Sequence, residues 1–425
     1  MSIRAVKGTR DILPDEIAVW HRLEEAARTL FARYGYREIR TPVFEKTELF
    51  ARGIGAETDI VSKEMYTFVD RAAQDSEGES LTLRPEATAG IVRSVIENNL
   101  MNTDPMLKVY ALGPMFRRER PQKGRYRQFH QVDVEAFGMA EPAIDAEVVE
   151  LALEYLKACG VGELELLLNS VGDRNCRPQY VETLRQALQE HKAALCGDCQ
   201  RRADTNPLRV LDCKVPQDQA RIDALPRLLD HLCAACHAHF AEVRRQLELL
   251  GIPYRLSHRL VRGLDYYTRT TFEVTSGALG AQNSVLGGGR YDGLVKDLGG
   301  PDLCGIGFAI GMERLAMLAP GSEPERRCDV FLLPQVPGAK DAALRLQREL
   351  RAAGIRALMD TEGRSFKSRM KLADKLGARY AAILDQPELT RGAWAVRDMA
   401  ASTQEDVAFD GVAAYLKQRL EKANG

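Results

Sequence analysis

Two predicted strands joined by a strongly basic loop, between Val109 and Gly138, constrain the fold of this chain more than any other stretch. Residues 109–112 are apolar and partly β-branched, and a Gly-Pro pair follows them. Residues 129–137 alternate as a second strand. One face would carry His130, Val132, Val134 and Ala136, and the other Gln131, Asp133, Glu135 and Phe137. The pattern predicts an antiparallel pair within a sheet.

The loop between these strands carries six basic residues: Arg117, Arg118, Arg120, Lys123, Arg125 and Arg127. Arginine offers a planar, permanently charged fork to phosphate oxygens, so the loop suits a polyphosphate ligand. A solvated basic hairpin is the plain alternative. Phe116 and Phe129 interleave with the arginines, and Gln131 and Glu135 share a face that shows no apolar burial pattern. These features favour a ligand site.

Length and charge bound the remaining possibilities. The 425 residues suffice for two or three domains, and the net charge of −1 gives no global signature for nucleic acid, so any such contact must come from local patches. The sequence shows no secretory signal and no apolar run long enough to span a bilayer. The nine cysteines suggest no disulfide framework, so we expect the protein to be located in the reducing cytoplasm.

The first half of the chain predicts helices over residues 15–34, 87–98 and 145–159. It predicts strands over 36–43, 63–68 and 164–168, with Pro42 marking an edge or interface position, and a polar loop over 71–80. Glu86 lies where a strand ends and a helix begins. Its carboxylate can receive an ammonium group, or it can simply favour the helix N-terminus through the dipole.

The amino-acid composition changes over residues 171–251, where aromatic residues are few and helix-forming runs follow one another. This composition predicts an inserted, mostly helical subdomain. Two short motifs in it, Cys196-x-x-Cys199 and Cys233-x-x-Cys236, lie near Cys213, His237 and His239. Two such pairs indicate one tetrahedral zinc site. Free thiols are the alternative, and the metal state stays open at this point.

Glycine-rich elements follow the insertion. Three glycines at 287–289 allow a ligand to approach the backbone closely, and residues 304–315 predict a glycine-rich strand that runs into a helix. Arg314 lies early in that helix, where it can bridge to phosphate.

After a charged linker at 318–327, strands and helices alternate as in an α/β domain with a parallel or mixed sheet. Strands are predicted over 329–333, 355–359, 380–384 and 393–397, and helices over 339–353, 365–376 and 412–423. Lys367, Lys371 and Lys375 repeat every four residues and share one face. That face is either a solvated surface or a contact with a nucleic-acid backbone.

Several of these motifs resemble one known family. Phe116-Arg117-Arg118-Glu119 resembles the second signature motif of class II aminoacyl-tRNA synthetases, and the continuation to Gln131 is similar to histidyl-tRNA synthetases. The runs Leu-Arg-Pro-Glu at 83–86, Arg-Gly-Leu-Asp-Tyr-Tyr at 262–267 and Gly-Gly-Gly-Arg-Tyr-Asp at 287–292 resemble elements of the same family. Residues 15–43 and 304–315 resemble the first and third class II motifs.

The resemblance implies an α+β catalytic domain built on an antiparallel sheet over residues 1–325, with the mostly helical insertion at about 171–251. An anticodon-binding α/β domain with a mixed sheet would cover 328–425. The first class II motif implies a homodimer. The insertion is either a structural appendage or, as in such synthetases, a contact for the acceptor arm of tRNA.

The implied activity converts L-histidine and ATP, with Mg²⁺, to histidyl-adenylate and then charges the 3′ end of tRNA(His). The implied catalytic residues are Arg117 and Arg262. Histidine would be bound by Glu86, Ala87, Thr88, Arg117, Gln131, Glu135, Arg262, Tyr266 and Tyr267. ATP would be bound by Arg117, Glu119, Arg125, Phe129 and Arg314. Transfer RNA would be bound by Gln122, Arg127, Lys367 and Lys371.

Two other functions compete with this interpretation. A catalytically inactive, histidine-sensing regulatory subunit of a phosphoribosyltransferase would share the pocket, but such relatives usually lack the C-terminal domain and lose catalytic arginines. Another class II synthetase, such as the prolyl or threonyl enzyme, would share the three motifs. The element from Arg262 to Tyr267 argues against it.

Overall fold

The chain forms two compact units in the computed structural model, Met1–Gly321 and Ser322–Gly425. The structure describes residues 3–55, 58–70, 78–122, 124–321 and 326–422. Four predicted stretches lie partly outside the described residues: residues 71–77 of the predicted loop over 71–80, Lys123 of the basic loop, residues 322–325 of the predicted linker and residue 423 of the last predicted helix.

Eleven strands are described in the first unit. They are β1 (Arg37–Glu38), β2 (Phe44–Lys46), β3 (Tyr66–Asp70), β4 (Glu79–Leu83), β5 (Lys108–Phe116), β6 (Gln128–Phe137), β7 (Leu164–Ser170), β8 (Arg255–Leu256), β9 (Thr268–Ser276), β10 (Ser284–Arg290) and β11 (Gly305–Gly311). The large sheet has the order β1-β5-β6-β11-β10-β9-β7-β8, and β2, β4 and β3 form a small antiparallel sheet. The six inner strands of the large sheet are antiparallel, and a two-residue strand pairs in parallel at each edge. The predicted catalytic-domain architecture is confirmed.

Helices cover and extend this sheet. Those of the first unit are α1 (Pro14–Arg33), α2 (Thr47–Ile54), α3 (Thr88–Glu97), α4 (Leu100–Thr103), α5 (Pro142–Ala158), α6 (Arg177–His191), α7 (Gly197–Thr205), α8 (Gln219–Asp223), α9 (Ala234–Leu249), α10 (Leu294–Asp297) and α11 (Met312–Leu318). The buried residues of α1, Trp20, Leu23, Ala27 and Phe31, recur at helical spacing. They join the main core, where the Phe31 ring lies 5.1 Å from that of Tyr155 in α5.

Strand β6 divides its side chains as its alternation predicts. Val132, Val134 and Ala136 are buried in the core that contains α1 and α5. Gln131, Asp133 and Glu135 point to the opposite face, where they line a cavity. One strand therefore connects the hydrophobic core to a polar site.

The strand predicted over residues 36–43 is wrong for most of its length. Only Arg37–Glu38 is a strand, and β2 begins at Phe44. The buried Arg84 explains the break, because its Nη1 donates to the carbonyl oxygens of Thr41 at 3.1 Å and Pro42 at 3.5 Å. These two carbonyl groups bond to a side chain instead of extending a ladder. Farther on, a π-helix at Ile60–Glu64 delays the predicted strand at 63 to Tyr66.

The predicted insertion has its own hydrophobic core for most of its length. That core contains Tyr180, Leu184 and Leu188 of α6 together with residues of the following short helices. The last predicted part differs, because Phe240, Val243 and Leu247 of α9 are buried in the main core. The chain thus returns to the main core at the start of α9.

The second unit contains five strands and four helices within the described residues. They are β12 (Val330–Pro334), α12 (Ala339–Ala352), β13 (Ala357–Met359), α13 (Phe366–Lys375), β14 (Tyr380–Leu384), α14 (Gln386–Arg391), β15 (Ala393–Asp398), β16 (Gln404–Ala408) and α15 (Val412–Lys422). The sheet has the order β13-β12-β14-β15-β16 and is parallel up to β14 and antiparallel beyond it. The predicted mixed sheet is confirmed. Strand β16 is almost wholly exposed, so it has no apolar pattern to reveal it.

Replacing Gly307 by alanine tests the close packing of the large sheet. A Cβ at Gly307 would lie 2.2 Å from the backbone oxygen of Val134, so the neighbouring strand would have to shift. We expect the free energy of unfolding to fall by about 1–3 kcal/mol, as in overpacked cores. The control is Gly311→Ala in the same strand, where nothing lies within 4 Å of the added carbon. Equal melting temperatures for the two variants would contradict this account.

Candidate active site

A cavity of about 1070 Å³ lies over the polar face of the large sheet. Its walls come from β6, β7, β9, β10 and β11, from the start of α3, and from the segment that precedes β9. Twelve of the predicted small-molecule residues line it: Glu86, Thr88, Arg117, Glu119, Arg125, Phe129, Gln131, Glu135, Arg262, Tyr266, Tyr267 and Arg314. Stretches far apart in the sequence therefore meet at one site.

One end of the cavity is rich in buried carboxylates. The Glu86 carboxylate accepts hydrogen bonds from the backbone N–H groups of Thr88 and Ala89, both at 2.9 Å, so it does stabilise the N-terminus of α3. It also lines the cavity, which makes the two interpretations of Glu86 compatible. The Thr88 hydroxyl donates to Glu135 at 2.6 Å, and the Tyr291 hydroxyl donates to the other oxygen of the same carboxylate.

Asp133 lies between these glutamates in sequence and was not among the predicted site residues. Its side chain is buried, lines the cavity, and leaves Oδ2 without a hydrogen-bond partner. The side-chain oxygen of the neighbouring Gln131 is likewise buried and unbonded. Such acceptors are costly to leave unsatisfied, so this part of the cavity is shaped for a ligand with several N–H donors. The alternation of β6 already placed Asp133 on this face.

Burial raises the pKa of two of these acids far above the ordinary values. Loss of hydration raises the pKa of Asp133 to about 8, and the nearby Glu86 carboxylate adds to the shift. Burial also raises the pKa of Glu135 to about 8, although hydrogen bonds from Thr88 and Tyr291 oppose that change. Burial raises the pKa of Glu86 as well. The acidic end is therefore poised to accept a cationic or proton-donating group.

Three tyrosine rings pack against one another beside the acidic end. The ring centroids of Tyr266 and Tyr267 lie 4.9 Å apart, and that of Tyr266 lies 5.7 Å from that of Tyr291. Tyr291 was not predicted as a site residue, although it closely follows the triple glycine. The three rings form an aromatic wall that can hold a flat, polar side chain.

The other end of the cavity is lined by arginines. The Arg117 guanidinium lies 5.2 Å from the ring centroid of Phe129, and its Nε donates to the carbonyl oxygen of Pro85 at 2.8 Å. Glu119 forms an ion pair with Arg125 at 2.9 Å. Phe129 is half-buried and lines the cavity. A cationic wall next to an aromatic ring suits a nucleotide.

Arg314 is held by backbone oxygens. Its Nε donates to the carbonyl of Gly124 at 3.2 Å, and its Nη1 donates to that of Ser284 at 2.7 Å. Burial lowers the pKa of Arg314, and the charge of Arg125 adds to the effect. Two like charges close together make the region receptive to an anion.

Arg262 lines the same cavity beside β9 and β10. Its Nη1 forms an ion pair with Glu273 at 2.9 Å, while its Nε is buried without a hydrogen-bond partner. The guanidinium lies directly over Gly287, where an added Cβ would be 2.1 Å from the nearest nitrogen. The triple glycine therefore serves the close approach of an arginine as well as that of a ligand.

Five predicted residues lie elsewhere. Ala87 is buried in a hydrophobic cluster beside α3 and does not line the cavity. Gln122 is exposed, and its backbone pairs with Arg125. Arg127 donates from its backbone and its side chain to the carbonyl oxygens of Gly8 and Lys7. Lys367 and Lys371 are exposed on α13 of the second unit.

Two other basic residues of that region are paired with an acid. Arg364 and Arg369 both form ion pairs with Asp360, and Arg369 is buried and also donates to the carbonyl oxygen of Pro334. Of the basic residues in this region, the three lysines of α13 form one exposed surface. We call this surface the lysine face (Lys367, Lys371 and Lys375).

The single zinc site predicted from the two cysteine pairs is wrong. Cys196 and Cys199 cluster with Cys213 and Asp218, whereas Cys233 and Cys236 cluster with Asp173 and Cys176. The predicted neighbours His237 and His239 belong to neither cluster, and the Nε2 atom of His239 instead bonds to Asp145 at 2.9 Å.

The comparison with known families decides what this cavity belongs to. Residues 8–315 match the model described as "Histidyl-tRNA synthetase", and residues 329–419 match "Anticodon binding domain". The chain belongs to the histidyl-tRNA synthetase family.

Individual relatives agree along the whole length. The histidine–tRNA ligase of Solibacter usitatus (strain Ellin6076) is 54% identical over 97% of this chain and 99% of its own. That of Koribacter versatilis (strain Ellin345) is 50% identical over 100% of this chain and 98% of its own. The crystal structure of apo histidyl-tRNA synthetase from S. aureus aligns with a TM-score of 0.80 at 38% identity, covering 98% of this chain and 100% of the other.

None of the helices in the described part of the chain combines the length and the apolar character needed to cross a membrane.

Replacing Asp133 by asparagine tests the buried acids of this synthetase-family cavity. The folded protein keeps the Asp133 proton up to about pH 8, whereas the unfolded chain loses it near 3.8. The free energy of unfolding therefore falls as pH rises through that window, by up to about 1.4 kcal/mol per pH unit for one group. The asparagine side chain cannot ionise, so we expect urea unfolding of Asp133→Asn between pH 5 and 8 to show a shallower decline.

The exposed Asp198, changed to asparagine, is the matched control and is expected to leave the decline unchanged. The same pH slope for Asp133→Asn and the unmutated chain would contradict the raised pKa.

Proposed function

We propose that this cavity activates L-histidine with ATP to form histidyl-adenylate and pyrophosphate, and that the chain then transfers histidine to the 3′ end of tRNA(His). The observation that carries the proposal is one cavity with an acidic, tyrosine-lined end and an arginine-lined end, in a member of the histidyl-tRNA synthetase family. The acidic end suits the ammonium group of an amino acid, and the arginine end suits the phosphates of a nucleoside triphosphate. The two ligands must bind side by side to react.

Histidine occupies the acidic end in this proposal. Glu86, Thr88 and Gln131 receive its α-ammonium group, supported by the unbonded acceptors of Gln131 and Asp133. Glu135 and Tyr267 bind the two imidazole nitrogens, with Tyr266 beside the ring. Because Glu135 and Tyr267 are buried, an amino acid that lacks these nitrogens leaves polar groups unpaired, which typically costs ~10⁴-fold in selectivity.

ATP occupies the arginine end. Phe129 stacks on adenine, Glu119 accepts a hydrogen bond from the base, and Arg125 and Arg314 hold the outer phosphates. Arg117 and Arg262 hold the α-phosphate, where the histidine carboxylate attacks. The existing contacts of Arg117 with Pro85 and of Arg262 with Glu273 keep both guanidinium groups in place before the nucleotide binds.

The chemistry of the first step requires positioning and charge rather than proton transfer. The attacking carboxylate is already ionised, a new carboxylate–phosphorus bond forms, and the bond to the leaving pyrophosphate breaks. The arginines stabilise negative charge as it redistributes over the phosphate oxygens. The positions and the charges of these arginines are fixed before the reaction, so little reorganisation is needed in the transition state.

Magnesium accompanies the nucleotide in this proposal. Mg²⁺ prefers carboxylate oxygens, and Glu273 lines the arginine end, so its carboxylate would hold the ion. When bound, the ion neutralises phosphate charge.

A non-catalytic histidine sensor is the main competing function. Both catalytic arginines line the cavity, and the chain carries the C-terminal unit that such regulators usually lack. A class II synthetase for another amino acid would not need two groups aimed at imidazole nitrogens. ATP–pyrophosphate exchange with each amino acid in turn separates these possibilities, because only histidine is expected to support exchange.

The proposed tRNA contacts lie in both units. Gln122 and Arg127 of the basic loop would meet the acceptor end, and Lys367 and Lys371 of the lysine face would neutralise phosphates of the anticodon stem. The exposed side chains of these two lysines support this role.

A homodimer completes the proposal. The small sheet exposes Phe44, Phe68 and Val69, with relative exposures of 52%, 44% and 56%, and the two phenylalanine rings lie 6.4 Å apart. An exposed apolar patch of this kind is typical of a protein interface. Phe44 follows directly on the stretch that resembles the first class II motif.

Replacing Arg262 by alanine tests the proposed reaction centre. We expect the single-turnover rate of adenylate formation to fall by ~10²–10³, because one well-placed electrostatic contact is lost, while histidine binding changes much less. Arg262→Lys is expected to restore the rate only in part, because an ammonium group cannot reproduce the planar fork. The exposed Arg245, changed to alanine, serves as the control. A near-normal rate in Arg262→Ala would exclude this role.

Removing two charges from the lysine face tests the role of the second unit. For Lys367→Ala/Lys371→Ala we expect weaker tRNA charging with unchanged pyrophosphate exchange. The slope of affinity against salt concentration is expected to fall by about 0.7–0.9 per lost phosphate contact. The control is the exposed Lys417 of α15, changed to alanine. Unchanged charging and an unchanged salt slope in the double variant would show that the lysine face is only solvated.

A further inference from the structure

Six of the nine cysteines gather in two clusters that the proposed reaction does not use. The first, cluster A, consists of Cys196, Cys199, Cys213 and Asp218. The second, cluster B, consists of Asp173, Cys176, Cys233 and Cys236. In each cluster three sulfur atoms and one carboxylate oxygen all lie within 4.8 Å of one another. No disulfide joins the cysteines.

The spacing of these atoms matches the edges of a tetrahedron around a metal ion. With bonds of about 2.3 Å to sulfur and about 2.0 Å to oxygen, two sulfurs lie about 3.8 Å apart and a sulfur and an oxygen about 3.5 Å apart. In cluster A the sulfurs of Cys196 and Cys213 are 3.9 Å apart, and that of Cys213 lies 3.5 Å from the Asp218 carboxylate. In cluster B the sulfur of Cys176 lies 3.6 Å from the Asp173 carboxylate.

The two clusters share the same local construction. Each contains a Cys-x-x-Cys motif whose first cysteine directly precedes a helix, with φ and ψ of −64° and 155° at Cys196 and of −66° and 161° at Cys233. The second cysteine of each motif, Cys199 or Cys236, is fully buried in the first turn. A second chain segment then supplies one cysteine and one aspartate. The same arrangement built twice indicates a shared purpose rather than chance packing.

The aspartates distinguish these clusters from ordinary buried thiols. Asp218 is fully buried, and its carboxylate accepts hydrogen bonds from the backbone N–H of Cys196 at 3.1 and 3.2 Å, which fixes its direction toward the sulfurs. A buried carboxylate among thiols is costly unless a positive charge compensates it. A divalent cation between the four ligand atoms supplies that charge.

We propose that clusters A and B are two independent sites, each of which binds one thiophilic divalent cation of the zinc class through three cysteines and one aspartate. Binding releases three thiol protons per cation, so each filled site carries a formal charge of −2. Arginines lie next to both sites. Arg259 donates to the carbonyl oxygen of Cys213 in cluster A, and Arg269 lies 3.8 Å from the Asp173 carboxylate in cluster B.

The positions of the two sites assign them different structural roles. Cluster B joins the segment that leaves β7 to the start of α9, so its cation closes the insertion where the chain departs from the main core and returns to it. Cluster A joins the start of α7 to residues 213–218, and its three cysteines line the wall of the cavity. One cation fixes the base of the insertion, and the other fixes the part that faces the ligand.

Metal analysis of the tag-free full chain tests this proposal. The chain is expressed with added zinc, purified without chelators and analysed by elemental mass spectrometry, and we expect two zinc ions per chain. Cys199→Ser and Cys236→Ser are each expected to retain one. Cys328→Ser changes a buried cysteine outside both clusters and is expected to retain two. Zinc-free protein, or one zinc per chain that either cluster variant abolishes, would overturn the two-site proposal.

Cobalt(II) provides a measurement that does not depend on the folding of any variant. The unmutated chain expressed in cobalt-supplemented medium is expected to show visible bands of tetrahedral cobalt and near-ultraviolet bands from thiolate ligands. The mass of the chain under denaturing conditions is expected to be that of a polypeptide in which all nine cysteines are reduced. Absence of these bands, or a mass lowered by the hydrogens lost in disulfides, would contradict the proposal. Neither readout depends on synthetase activity, so the proposal stands or falls separately from the proposed function.

Discussion

Close approach of side chains to a bare backbone is the constraint on which this site depends. The Arg262 guanidinium lies over Gly287, the Glu135 carboxylate over Gly307 and the Tyr291 ring over Gly305, and an added Cβ would come within 2.2 Å of each of these groups. Glycine in a strand costs roughly 0.5–1 kcal/mol relative to alanine. This destabilisation has a counterpart in the site. The missing Cβ atoms let charged and aromatic groups lie against the sheet, where they face the cavity.

Burial of the acidic side chains in the cavity is a second destabilising feature of the site. Glu86, Asp133 and Glu135 are buried side by side, and burial raises the pKa of all three. Arg84 and Arg117 offset this only in part, because much of the hydrogen-bonding capacity of Arg84 is spent on backbone oxygens. The surrounding hydrophobic clusters hold the acids in position all the same. In the proposed function, the ammonium and ring N–H groups of histidine supply the missing partners, so part of the binding energy comes from relieving an unfavourable arrangement.

Sequence reasoning reached the polar face of β6 because alternation is a local signal, and it reached most of the other cavity residues through the family resemblance of their motifs. It missed Tyr291, whose role emerges only when the segment after β10 meets β6. It also missed Asp133, because alternation placed this residue on the cavity face without showing that its oxygen lacks a partner. It extended the strand after Tyr36 too far, because nothing near that stretch reveals that the distant Arg84 takes up its carbonyl groups. It joined the two cysteine motifs into one site, because spacing along the chain does not show which pairs meet in space.

Arg177, at the start of α6, has a consequence for how such proteins diverge. Its side chain donates to the carbonyl oxygens of Val171 and Gly172 and also to that of Tyr267, in the wall of the cavity. The backbone of a proposed specificity residue is thus anchored by the first helix of the insertion. A chimera that exchanged the insertion for that of a relative would therefore keep its amino-acid preference only if an arginine were retained at that helix start. The insertion and the aromatic wall are expected to evolve as one module.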